Sequence, residues 1–142
     1  MRIAMIIAAG LGAAAFATAA AAETVHFQAK LDGAQETPPH AVPGKGSADV
    51  SLDTATKKLS WRVTYSGLTG PAVAAHFHGP AGPGKAAGVQ VPLTGNLASP
   101  ITGSADISDA QIKDLRAGLW YLNIHTAQYP PGEIRGQVLP VH

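Results

Sequence analysis

From Thr24 onward, apolar side chains recur at every second position, and no other feature of the chain limits its fold as much. In TVHFQAKL (24–31), Val25, Phe27, Ala29 and Leu31 alternate with Thr24, His26, Gln28 and Lys30. SADVSLD (47–53) puts Ala48, Val50 and Leu52 on one side, and KLSWRVTYSG (58–67) does the same with Leu59, Trp61, Val63 and Tyr65. Successive strand residues point to opposite faces of a sheet, so this pattern predicts strands with one buried face. AVAAHFHG (72–79), GVQVPL (88–93), GSADI (103–107), LWYLNIHT (119–126) and GEIRGQVLPV (132–141) complete the set. Between them, DGAQETPPHAVPGKG (32–46) and HGPAGPGKAAG (78–88) carry too much Pro and Gly to join a ladder, and DTATKK (53–58) reads as a polar hairpin turn.

The period changes once. In SDAQIKDLRAG (108–118), Ser108 and Gln111 form a capping-box pattern, Lys113 and Arg116 sit near the negative end, and Gly118 supplies a stop. This predicts a short amphipathic helix over 109–116 that covers one end of a sheet through Ile112 and Leu115. Eight strands, regular turn signals and one short helix indicate an all-β antiparallel sandwich or closed barrel.

Residues 1–22, MRIAMIIAAGLGAAAFATAAAA, combine a basic Arg2, an apolar run and a small-residue exit at Ala20–Ala22. That is the pattern of a cleaved secretory signal, with a mature chain beginning at Glu23 and a single domain over 23–142. The expected location is therefore periplasmic or secreted, with no membrane span after cleavage. Without Arg2, nine Lys and Arg face nine Asp and Glu, and no basic stripe points to nucleic acid. The chain has no cysteine, so neither a lipid-bearing cysteine nor a disulfide enters the reading.

Three of the six histidines fall into a pattern. His76 and His78, at i and i+2 of one strand, share a face with Ala74, while Val73, Ala75 and Phe77 take the core side. In the late strand, Trp120, Leu122 and Ile124 form the apolar face and Tyr121, Asn123 and His125 the other. Neutral imidazole binds copper and zinc with metal–nitrogen bonds of about 2.0–2.1 Å. A paired strand bearing His125 would close a three-histidine site. The competing reading has His76 and His78 bonding backbone groups to orient the 79–88 loop, with His125 anchoring the Pro-Pro-Gly turn. His26 falls on the polar face of the first strand as a surface residue; His26, His40 and His142 are the candidates for a fourth ligand. Glu133, Arg135 and Gln137 share a face. Arg135 either pairs with Glu36 or another acid and fixes the end of the sheet, or supplies positive charge beside an anion-accessible metal. Gly136 and the preceding YPPG suggest a tight turn, which favours the first role.

Three segments stand in an order that resembles a known family: LDGAQETPP (31–39), GLTGPAVAAHFHGPAG (67–82) and GLWYLNIHTAQYPPGEIRGQV (118–138). They resemble the CHRD (chordin-type) domain, in its exported bacterial single-domain form, over nearly all of 24–139. The most specific parts are A-H-x-H-G-P at Ala75–Pro80 and N-x-H-T…G-E-I-R-G-Q from Asn123 to Gln137. His40 departs from the family's usual apolar residue. The resemblance implies an immunoglobulin-like Greek-key β-sandwich with distant similarity to copper/zinc superoxide dismutases. Those enzymes carry an H-x-H copper pair, a later histidine and an arginine beside the metal; here His76, His78, His125 and Arg135 follow the same order. The zinc-holding cluster and the disulfide of those enzymes have no counterpart in this chain. The expectation is an exported binding module that holds copper. The rivals are a metal-free domain that binds an extracellular or periplasmic protein or a glycan, and a copper-dependent dismutase-like enzyme.

Overall fold

Antiparallel pairing turns the alternating segments into one continuous sheet. The computed structural model describes residues 9–14 and 21–142, so most of the expected signal, residues 1–22, lies outside the described residues. The strands are β1 (Thr24–Asp32), β2 (Lys45–Asp53), β3 (Lys58–Ser66), β4 (Ala72–His78), β5 (Val89–Pro92), β6 (Ile101–Asp106), β7 (Trp120–Thr126) and β8 (Ile134–Pro140). One helix, α1 (Asp109–Arg116), separates β6 from β7. Their order in the sheet is β5-β4-β7-β8-β1-β2-β3-β6. The all-β antiparallel expectation holds, realised as a single sheet rolled into a nearly closed barrel. Trp61 of β3 meets Phe77 of β4 edge to face, with ring centroids 5.5 Å apart, so strands remote in sheet order touch across the interior.

Local chemistry sets the turns as the sequence predicts. Asp53 Oδ1 accepts from the Ala55 and Thr56 N–H groups, which closes the β2–β3 hairpin before Lys57 takes a positive φ of 59°. Ser108 Oγ accepts from Gln111 N–H while Gln111 Oε1 accepts from Ser108 N–H, forming the expected capping box. Leu115 carries the apolar face of α1 into the core.

Three details differ from the alternation. Val73 is 58% exposed, because β4 shifts register against β7 between Ala72 and Ala74 and Ala72 packs against the core instead. Gly136 lies within β8, in no turn: a Cβ there would stand 2.2 Å from the Lys30 carbonyl oxygen, so it allows close approach of β8 to β1. The third difference concerns the site. All of β7 is buried on both faces, as is most of β8. The loop after β4 covers their outer side: Ala81 N–H donates to Leu119 O, Gln137 Nε2 to Ala81 O, and Arg135 Nη2 to Gly82 O. No helix among the described residues is long and apolar enough to cross a membrane.

Candidate metal centre

Pairing of β4 with β7 aligns Ala74 with His125, His76 with Asn123 and His78 with Tyr121. Because i and i+2 share a face, this register gathers His76, His78, Tyr121, Asn123 and His125 into one patch on the outer surface of the sheet. One ring nitrogen from each of His76, His78 and His125 lies within 4.8 Å of the others. The rings of His76 and His125 have centroids 4.8 Å apart, and His76 and His78 stand edge to face at 5.5 Å. His26, His40 and His142 are outside this group, which is the one such cluster among the described residues. His40 instead holds the neighbouring turn, with Nε2 3.1 Å from Gly132 O and its ring 4.4 Å from that of Tyr129.

The loops determine which nitrogens are free. His78 Nδ1 is 3.0 Å from Ala87 O and His125 Nδ1 is 2.7 Å from Pro130 O. A carbonyl oxygen only accepts, so both Nδ1 atoms carry hydrogen and donate. A neutral ring bonded in this way has a bare lone pair on Nε2. The two Nε2 atoms converge on Asn123 Oδ1, at 3.0 Å from His78 and 2.9 Å from His125. His125 Nε2 also lies 3.0 Å from His76 Nδ1. Two lone pairs facing an amide oxygen are repulsive unless something positive intervenes or the amide turns over. Turning it over gives up the Asn123 Nδ2 contact to Pro131 O, long at 3.4 Å, and sets two acceptor oxygens face to face there. In that orientation the amide donates one N–H to each ring. A cation would be the other solution.

Electrostatics favour neutral ligands. Burial holds the His76 pKa below the ordinary histidine value, and the nearby His125 and His78 lower it further. Burial also depresses His78, against the opposing pull of its bonds to Ala87 and Asn123. Neutral imidazole with its second nitrogen bonded to a backbone carbonyl is a standard arrangement around a bound metal. Two nitrogens on one ion sit at most about 4.2 Å apart, so the widest separation must close by about half an ångström or more. His76 and His78 are only half-buried and can supply that movement. The donor set therefore could hold a metal, with His125, 9% exposed, as its fixed member.

Arg135 has a different setting. It is 1% exposed, its Cζ lies 3.5 Å from the centroid of the Tyr121 ring, and Nη2 donates to Gly82 O at 3.2 Å. The other side of the patch is built on the same tyrosine, since His78 stacks on Tyr121 with planes 1° apart. The expected pairing of Arg135 with Glu36 takes the form of charge proximity without a bonded ion pair; the ion pairs among the described residues are Lys57–Asp109 and Arg116–Glu23. Tyr121 and Asn123 are functional candidates that sequence reasoning did not single out, although they alternate with His125 on one face, and Glu36 entered it only as a partner for Arg135. Glu133 is likewise buried; it accepts from Thr69 N–H at 3.0 Å and Thr126 Oγ1 at 2.8 Å and ties the YPPG turn to the β3–β4 loop.

The family model for the CHRD domain matches residues 27–138. No curated protein and no solved structure matches the chain.

Proposed function

This chain belongs to the CHRD-domain family, and from that premise we propose that it is an exported binding module holding one copper ion on His76, His78 and His125. The observation that carries the proposal is the gathering of one nitrogen from each of three histidines within 4.8 Å of one another, two of the rings being fixed through Nδ1 to backbone carbonyls so that Nε2 carries the lone pair. Copper is favoured because the donors are three imidazoles with no carboxylate or thiolate among them, and Cu(II) heads the divalent affinity order for such ligands. Export is proposed from the pattern of residues 1–22.

A carrier or storage role suits the site better than a dismutase-like one. The enzyme reading rests on the order of His76, His78, His125 and Arg135 along the chain. An arginine that steers an anion must present charge to solvent, yet this guanidinium is sealed beneath the 79–88 loop and laid on Tyr121. That burial supports a structural role. The test is titration of the tag-free chain with Cu(II), followed by paramagnetic resonance. We expect one copper per chain with a nitrogen-rich spectrum and at least tenfold weaker binding when any one of the three histidines becomes alanine. His26→Ala serves as the unchanged control. Equal binding by wild type and the triple alanine variant eliminates the site and returns the metal-free interaction domain as the better reading.

A further inference from the structure

Away from the histidines, three buried polar atoms without hydrogen-bond partners belong to residues around one cavity. Glu36 Oε1, Arg135 Nη1 and Gln137 Oε1 are each without a partner, in residues 6%, 1% and 8% exposed respectively. A buried polar group left unpaired costs about 1–3 kcal/mol and more when charged, so three together are not a neutral feature of packing. All three residues line a cavity of about 390 Å³ whose rims are Pro38–Pro39 on one side and Pro83–Gly84 on the other. Two of these side chains are anchored through other atoms. Gln137 Nε2 donates to Ala81 O and Gly118 O, and Arg135 Nη2 donates to Gly82 O. Their orientations are therefore set by the fold, and only the unpartnered atoms remain to be satisfied.

We propose that this cavity is a saccharide-binding site, in which adjacent hydroxyl groups of a neutral sugar ring complete the hydrogen bonding of Glu36, Arg135 and Gln137 while the ring's C–H face lies against the prolines. Charge supports neutrality of the ligand where Glu36 is ionised, because a carboxylate and a guanidinium then share the wall and a phosphate or ammonium group would be repelled by one of them. Hydroxyls also fit better than a fixed amide pattern. A hydroxyl both donates and accepts. It can therefore give to Gln137 Oε1 and Glu36 Oε1 and receive from Arg135 Nη1 within one ring, and it still matches Glu36 when that carboxyl is protonated. A peptide amide, with its donor and acceptor fixed, matches one protonation state only. The volume accommodates one or two sugar units. The three polar atoms are screened from bulk water, so binding requires the exposed rims to part. The inference stands independently of copper.

The test uses the full exported chain without added metal, in saturation-transfer NMR and calorimetric titration with D-glucose, D-galactose, D-mannose, N-acetyl-D-glucosamine and maltose, and separately with N-acetylproline methylamide as a peptide probe. At least one sugar should bind, in the millimolar range or tighter. Glu36→Ala, which removes both carboxyl oxygens, should weaken it at least tenfold. Ala34→Trp, at an exposed position on the cavity wall, should obstruct it while leaving thermal unfolding within a few degrees of wild type. Failure of every sugar to bind overturns the proposal. So does sugar binding that both variants retain, which would put the sugar elsewhere, or binding of the proline amide in place of all sugars, which would make this a peptide site.

Discussion

Glu36 should make the domain less stable as pH rises through neutrality, the reverse of an ordinary surface carboxylate. Its carboxyl is pushed up to about 7, first by burial, against which the Arg135 charge and the Thr37 N–H pull downward. In the unfolded chain it returns to an ordinary value near 4.5. Between these values the folded state binds a proton that the unfolded state has released, so stability is greatest below about pH 4.5 and falls as pH rises toward 7. Moving a carboxyl from 4.5 to about 7 corresponds to about 3 kcal/mol, fully expressed above about pH 8. Arg135 is the charged neighbour, and it stays protonated throughout this range.

Glu36→Gln removes the titration while keeping the shape. Urea unfolding of both proteins, repeated at intervals from about pH 4.5 to 8.5, isolates the effect, because other titrating groups cancel in the difference between them. The variant should gain on wild type by about 3 kcal/mol across that interval, or by roughly 10 °C in melting temperature for a domain of this size. Any constant offset from exchanging oxygen for nitrogen is irrelevant; the slope carries the prediction. A difference that stays flat with pH would show that Glu36 is not buried as described. A difference of opposite slope would mean that Arg135 binds it as a closed ion pair.

Gly136→Ala should cost upward of about 3 kcal/mol in urea unfolding, since the new Cβ meets backbone atoms of Lys30 that no side-chain rotation can clear. Arg135→Ala should destabilise by a similar amount, about 3 kcal/mol, by removing the cation stacked on Tyr121 and the partner charge of Glu36; copper stoichiometry should not change, and salt-sensitive superoxide turnover that vanishes with this charge would refute the structural role. Intact-mass measurement of the protein recovered outside the cytoplasm should give a chain starting at Glu23, and a retained 1–22 segment would overturn the export reading.

The fold was legible because one face of most strands is apolar and the other polar. Phe27, Ala29 and Leu31, then Ala48, Val50 and Leu52, then Leu59, Trp61 and Val63 are buried as their spacing requires. Alternation fails where a ladder slips, as at Val73, since a register shift leaves no mark in the sequence of one strand. It also fails on β7, where Tyr121, Asn123 and His125 read as a solvent face and are buried. What covers them is irregular backbone, the 79–88 loop at Tyr121 and the Pro-Pro-Gly turn at Asn123 and His125, and neither has a period to detect. Gly136 escapes sequence reasoning for a related reason: a glycine needed for close approach of strands looks, in sequence, like one needed for a turn.

The histidine site was half legible, and the missing half is topological. Spacing alone puts His76 and His78 on one face, but β5, β6 and α1 intervene before His125, and only the sheet order makes β7 the neighbour of β4. The state of the rings depends on still less visible groups, the carbonyls of Ala87 and Pro130, because any residue type at those positions presents the same oxygen. This separates the two readings of the histidines on physical grounds. The expected backbone bonds of the structural reading are present at His78 and His125, yet each uses one nitrogen; the other turns toward Asn123 in His78 and toward both Asn123 and His76 in His125. The same bonds that anchor the loops therefore prepare the rings as ligands, so a structural role for one nitrogen is a condition of the metal-binding role of the other.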